Sequence, residues 1–279
     1  MSENANIRGL VAEAVSLLQT SGDAARLEAE VLAAHVLGMS RSLLLAHLDD
    51  APPTEAVKHF RELVARRAAG EPLPYILGYR EFYGRRFHVT SATLIPRPET
   101  ELLVERFLEL EPALPGGPIV DVGTGCGCIL ASALLPNERI GIGTDVSIDA
   151  LRVAAENVAE LGLFCRASLI AADLLRAVRK DSLAAVLANL PYVAEGDSRL
   201  EPQVAEWEPP LALFAGSDGL SLIRSLIPQA AVALRPGGAL IMEIGIGQAE
   251  EVVRLLAGWQ DLAVLNDLAG IPRVVSARK

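Results

Sequence analysis

Four residues, Asn189-Leu-Pro-Tyr192, could cradle a planar group that bears NH2. Asn189 offers a side-chain oxygen as an acceptor. A residue before proline is held extended, so the Leu190 carbonyl ahead of Pro191 keeps a fixed direction. Two acceptors and the flat ring of Tyr192 would suit an amide or an adenine amine. Asn and Pro are also common turn formers, so the tetrapeptide by itself reads equally well as a plain turn. A second stretch changes the balance. The run Ile119-Val-Asp-Val-Gly-Thr-Gly-Cys-Gly-Cys128 is apolar at first and then carries Gly123, Gly125 and Gly127. Apolar and small residues from Ile129 to Leu135 follow, with no breaker until Pro136. This pattern is strand, glycine loop, helix. Such loops permit positive φ and let a ligand reach the N–H groups at a helix start. The spacing is GxGxG and departs from the GxGxxG of dinucleotide sites.

Asp145 ends the next apolar run, Ile140–Thr144. An acid at that distance past the loop suits a ribose hydroxyl, so a ligand containing a nucleoside is expected. Asp121, two residues before Gly123, argues against a dinucleotide. Its charge would repel a pyrophosphate and attract an amino-acid ammonium or a sulfonium group.

These residues need a scaffold that brings them to one place. From Ile119 onward, strand-like runs are Ile119–Val122, Ile140–Thr144, Ala167–Ala171, Leu183–Ala188, Ala239–Ile244 and Ala263–Leu265, with Arg273–Ser276 a last candidate. Helix-like runs Ser147–Leu161, Leu220–Leu234 and Gln248–Ala257 lie between them. The alternation predicts a doubly wound α/β domain with a mainly parallel sheet covered on both faces. Ligands of such sheets bind beyond the carboxyl ends of the strands, which brings Asn189 and the glycine loop to one crevice.

Upstream, Leu10, Ala14, Leu17 and Leu18 form a helical stripe. Leu27, Val31, Leu32, Val36 and Leu37 form another, Ser42–Leu48 a third, and Thr54 opens a fourth through Val57, Phe60, Leu63 and Val64. A small helical bundle is expected there. Arg61, Arg66 and Arg67 read as a solvated face or as contacts for an acidic partner. The aromatic stretch Tyr75–Val89 reads as a hairpin or extended linker around Gly84. The prolines of Ile95-Pro-Arg-Pro98 keep the chain extended up to a helix Glu101–Leu110 that starts at Glu99 or Thr100.

Composition narrows the function classes. The formal net charge is −10, and residues beyond Thr90 carry net −9 of it (15 basic against 24 acidic). No basic stripe marks a grip on nucleic-acid phosphates. Cys126, Cys128 and Cys165 form no CxxC pair, so no metal site is expected. Free cysteines suit a reducing cytoplasm, and neither a signal peptide nor a membrane span is recognisable.

The chain resembles the peptide chain release factor N5-glutamine methyltransferases, class I S-adenosylmethionine-dependent enzymes. The likeness rests on Pro72–Gly78, Glu81–Gly84, Leu94-Ile-Pro-Arg-Pro-Glu-Thr-Glu101, Asp121–Gly127, Asn189–Tyr192, Asp267–Gly270 and Arg273–Val275. The Leu94–Glu101 segment is the most specific of these. The resemblance implies a seven-stranded methyltransferase sheet behind an N-terminal helical bundle. It divides the chain into a partner-recognition domain (1–74), a hairpin or linker (75–93) and a catalytic domain (94–279). It implies methylation of the glutamine amide nitrogen in the Gly-Gly-Gln motif of class I release factors, with S-adenosyl-L-methionine as donor and S-adenosyl-L-homocysteine as product. Gly123, Thr124, Gly125, Cys126 and Gly127 would wrap the methionine part, with Asp121 near its ammonium. Asp145 would hold the ribose, and Asp173 and Leu174 would border the adenine. Asn189, Leu190, Pro191 and Tyr192 would bind the substrate amide, Asn189 also bordering the cofactor, with Asn189, Pro191 and Tyr192 the catalytic set. The family usually carries Asn-Pro-Pro-Tyr, so Leu190 is a departure. Pro210, where arginine is more usual, is another. The same cradle fits an N6-adenine nucleic-acid methyltransferase, and the same fold a non-catalytic interaction protein. A dinucleotide oxidoreductase ranks behind both.

Overall fold

The computed structural model describes residues 6–18 and 23–279. The chain divides into two units, one ending at Gly78 and the other beginning at Tyr79. Among its described residues the first unit has five helices: α1 (Ile7–Leu17), α2 (Asp23–Val36), α3 (Arg41–Ala46), α4 (Thr54–Ala68) and α5 (Leu73–Leu77). Asn6 and Ser40 cap α1 and α3 by accepting the N–H groups of Gly9 and Leu43. The core of the unit includes Leu10, Ala14, Ala29, Leu32, Leu44, Phe60 and Leu63. Leu17 and Leu27 were expected in it and are exposed. Helix α2 instead buries Ala25, Ala29 and Ala33 beside Leu32, a face of small side chains that lets its neighbours approach closely. Arg61, Arg66 and Arg67 pair with Glu13, Glu71 and Glu28 of the same unit. After α4, Pro72 and Pro74 stand where a helix start tolerates proline, and α5 follows.

The second unit opens with a two-stranded antiparallel hairpin, β1 (Tyr79–Phe82) and β2 (Arg85–His88). Helix α6 (Glu101–Leu110) follows a 3-10 turn over Pro98–Thr100. The alternation downstream then runs β3 (Ile119–Val122), α7 (Cys128–Leu134), β4 (Gly141–Asp145), α8 (Ile148–Glu160), β5 (Ala167–Ala171) and β6 (Leu183–Ala188). After α9 (Pro202–Trp207) come α10 (Ser221–Ala233), β7 (Leu234–Glu243), α11 (Ala249–Leu255), β8 (Gln260–Asn266) and β9 (Pro272–Arg278). The sheet has seven strands in the order β5-β4-β3-β6-β7-β9-β8. All neighbours are parallel except β9, which is antiparallel to both β7 and β8. Every residue of β3 and of β6 is buried, as central parallel strands covered on both faces require.

Chain order reverses direction across the sheet between β3 and β6, which makes their carboxyl ends the switch point. Register decides what meets there. Val122 pairs with Ala188 on one side and with Thr144 on the other. The residues that follow, Gly123, Asn189 and Asp145, therefore leave three adjacent strands at one level. Asn157 of α8 fastens this end to the hairpin. Its amide donates to the carbonyls of Cys126 (2.8 Å) and His88 (3.0 Å), and its oxygen accepts the His88 N–H (2.7 Å).

Candidate active site

Gly123, Gly125 and Gly127 adopt φ of 69°, 54° and 80°, a left-handed run that turns the chain from β3 into α7. Gly123 is also a point of close approach. A Cβ there would lie 3.0 Å from Cδ2 of Leu190. The tetrapeptide turn thus rests directly on the glycine loop. Together they wall a cavity of about 340 Å³, within the range for small-molecule sites.

Of the residues singled out in the sequence, Gly123, Thr124, Gly125, Cys126, Asp145, Asp173, Leu174, Asn189, Leu190 and Pro191 all line this cavity. Asp121, Gly127 and Tyr192 do not. Asp121 is fully buried in β3, beneath the loop. Its Oδ2 accepts the Thr124 hydroxyl (2.6 Å) and the Leu130 N–H (3.2 Å), while Oδ1 has no partner among the described residues. Burial pushes its carboxyl up to about 7 against the pull of those two donors, and the charge of Asp145 adds to the rise. Tyr192 follows Pro191 to the other side of the turn and lines a second cavity of about 370 Å³. Its hydroxyl donates to Oε1 of Glu243 at 3.1 Å.

Asp145 has a use that its position in the sequence did not announce. Oδ2 accepts the Gly125 N–H and Oδ1 the Ser147 N–H, each at 2.9 Å. The carboxylate braces the glycine loop against the start of α8 and still faces the cavity, with lone pairs left over. Leu190 is held by packing. It is buried against Gly123 and the sheet core.

The roof comes from segments far apart in sequence. Leu94, Pro96 and Thr100 meet Pro209, Leu211 and Ala212 over the cavity. Glu208, itself buried, joins these segments by accepting the Ile95 N–H (3.1 Å) and pairing with Arg97. Pro210 lies in the adjoining 3-10 turn, exposed. Thr100 is buried, and its Oγ1 accepts an N–H of Asn189 at 3.0 Å. Neither Glu208 nor the Thr100–Asn189 bond was foreseen from sequence. The density of prolines around both roof segments was the available sign.

Among the described residues no group of acidic, histidine or cysteine side chains could hold a metal ion, the cysteines are free thiols, and no helix is long and apolar enough to cross a membrane. The fold is that of class I methyltransferases. The catalytic domain of hMettl16 in complex with MAT2A 3'UTR hairpin 1 superposes with a TM-score of 0.56 at 17% identity, over 78% of this chain and 80% of that one. Two family models match, the PrmC N-terminal domain over residues 9–78 and the methyltransferase small domain over residues 97–206. A release factor glutamine methyltransferase of Cereibacter sphaeroides is 44% identical over 270 residues, covering 95% of both chains. That of Bradyrhizobium diazoefficiens is 42% identical over 268 residues, covering 91% of this chain and 88% of its own. With sheet, glycine loop, roof segment and the Asn189–Tyr192 turn all in place, the chain belongs to the release factor glutamine methyltransferase family.

Proposed function

We propose that this protein transfers a methyl group from S-adenosyl-L-methionine to the side-chain amide nitrogen of the glutamine in the Gly-Gly-Gln motif of class I release factors. The observation that carries this reading is the shared cavity, in which Asn189 and the glycine loop stand side by side. The donor fits the residues present. Asp121 has a buried oxygen without a partner beneath the loop, an acceptor suited to the methionine ammonium. Asp145 keeps lone pairs for a ribose, and Val122, Ile129 and Leu174 give apolar walls. When bound, the donor supplies an electrophilic methyl on a sulfonium centre.

A glutamine amide nitrogen is a weak nucleophile because its lone pair is shared with the carbonyl. Asn189 Oδ1 and the Leu190 carbonyl accept from its NH2, raise electron density on nitrogen and fix its direction. Apolar walls exclude water and strengthen both hydrogen bonds. Orientation supplies much of the rate. No strong general base is needed, because the nitrogen loses its proton after the methyl arrives, when it is positively charged. The first unit recognises the release factor, and a translational substrate places the reaction in the cytoplasm. The same cradle would fit an adenine amine, but net −9 beyond Thr90 opposes a nucleic-acid substrate.

The test is mass spectrometry of release factor and of duplex DNA incubated separately with this protein and the donor. A gain of about 14 Da, one methylene, on the Gly-Gly-Gln glutamine is expected. Methyl transfer to DNA and none to release factor would reverse the assignment.

Asp121 adds a pH signature. Its carboxyl titrates near 7, so at pH 6 it is mostly neutral in the free protein. An ammonium beside it favours the charged form, so binding below pH 7 expels a proton. Affinity for the donor is expected to weaken by up to about tenfold per pH unit from pH 7 down to 5.5. Calorimetry in buffers of different ionisation enthalpy reads the proton directly. A pH-independent affinity would separate Asp121 from the ammonium. Stability moves the opposite way. Between the ordinary carboxyl value and about 7 only the folded chain keeps this proton, so this group's contribution falls as pH rises through that window.

A further inference from the structure

The glycines that let the loop after β3 form also leave it free to rearrange. A peptide unit turns over by changing ψ of the residue before it and φ of the residue after it. For the peptide that joins Cys126 to Gly127 the second of these belongs to a glycine, at φ of 80°, with no Cβ to resist the turn. Two hydrogen bonds fix this peptide. The Gly127 N–H donates to the Thr124 carbonyl at 2.8 Å. The Cys126 carbonyl accepts Nδ2 of Asn157 at 2.8 Å. The first bond lies within the loop and moves with it. The second anchors the loop to α8.

One face of α8 runs along this end of the sheet. Ala150 lines the cavity, and a Cβ on Gly127 would lie 3.3 Å from that of Ala154. Asn157 follows on the same face and is buried. Its partners leave its amide one orientation. The His88 N–H only donates, so it takes Oδ1, and the carbonyls of Cys126 and His88 only accept, so they take both hydrogens of Nδ2. His88 ends β2, and the chain beyond it brings Ala92, Thr93 and Leu94 to the cavity. A single buried amide thus ties two segments that line the cavity to one point of α8.

We infer that Asn157 is a positioning residue for the methyl donor, holding the peptide between Cys126 and Gly127 in the form that the donor meets. Asn157 does not line the cavity. It acts through Cys126, which does.

The inference rests on the donor reading of the cavity, and the experiment separates the two. Asn157→Asp exchanges one NH2 for oxygen. It keeps an acceptor for the His88 N–H and sets an oxygen against two carbonyls. Affinity for S-adenosyl-L-methionine, measured by calorimetry without release factor, is expected to fall about tenfold. At saturating donor, kcat and the KM for release factor are expected to stay within about twofold of the parent. Amide hydrogen exchange of the free protein gives a second readout. Gly127 is expected to exchange at least about tenfold faster, while β3 and β6 keep parental protection. Asn157→Ala, which removes the amide without adding a charge, carries the same donor expectation. Parental donor affinity in both variants overturns the inference. Weaker affinity with faster exchange throughout β3 and β6 also overturns it, because that marks general destabilisation. So does a fall in kcat at saturating donor as large as the fall in affinity. A parent protein that binds no donor would instead sink the reading of the cavity, and exchange at Gly127 would still decide whether Asn157 holds the loop.

Discussion

Asn189→Ala is expected to lower turnover of release factor by at least about 10³-fold, while affinity for the methyl donor stays within about threefold. The asymmetry follows from what each partner contacts. In the proposed complex the donor would meet the glycine loop, Asp145, Asp173 and Leu174, all of which line the cavity. In the proposed mechanism the substrate amide would depend on two acceptors, and alanine removes one of them. The Leu190 carbonyl cannot replace it, since a single acceptor neither holds the NH2 plane nor stabilises both of its hydrogens. Loss of the side chain also leaves the Thr100 hydroxyl without its donor in a buried place. Single-turnover methylation, with donor binding measured separately by calorimetry, reads the two quantities. Near-parental turnover would remove the cradle from the mechanism. A parallel fall in donor affinity would assign Asn189 to the donor instead.

Much of this site was legible because parallel sheets translate sequence into position with few rules. Ile119–Val122 and Leu183–Ala188 are continuous apolar runs, as strands buried on both faces must be. Ligands gather beyond strand ends, so adjacency of Gly123 and Asn189 followed once those two runs were strands. Residues that depend on contacts across the chain were not legible. Thr100 stood within a recognised segment, but nothing local says that its hydroxyl meets a residue 89 positions away. Glu208 closes the roof on the same terms. Asp145 was read as a ligand for ribose, and its bonds to Gly125 and Ser147 depend on the turn geometry after β4. Tyr192 illustrates another limit. Spacing places it next to Pro191, but consecutive side chains of an extended segment diverge, and its ring follows the other side. In the helical unit, leucines drew the stripe where alanines make the contact. A small buried residue carries little weight in a periodicity count, although it fixes how closely helices approach.

Gly219→Ala is expected to be the most disruptive single methyl in the second unit. Gly219 has φ of 73°, and a Cβ there would lie 2.1 Å from the carbonyl oxygen of Tyr192. That oxygen is backbone and already held. It accepts Nε2 of Gln248 at 3.0 Å, and Oε1 of Gln248 accepts the Gly245 N–H at 2.8 Å. The floor of the Asn189–Tyr192 turn is therefore pinned between the loop before α10 and the loop before α11. Alanine must either push Tyr192 off Gln248 or shift the loop that carries Gly219. Left-handed strain costs about 1 kcal/mol, and the collision raises the total to roughly 3–5 kcal/mol. At this chain length that lowers the melting temperature by about 6–15 °C. Gly237→Ala separates the two contributions. Gly237 has φ of 80° with nothing within 4 Å of its Cβ position, so strain acts there without collision. It is expected to cost only about 1 kcal/mol. Because the displaced atom belongs to Tyr192, next to the residues proposed to contact the substrate, folded Gly219→Ala protein should lose turnover well beyond its loss of donor affinity. Equal melting temperatures for the two variants would show that the loop yields without cost, and the turn would then not depend on this floor.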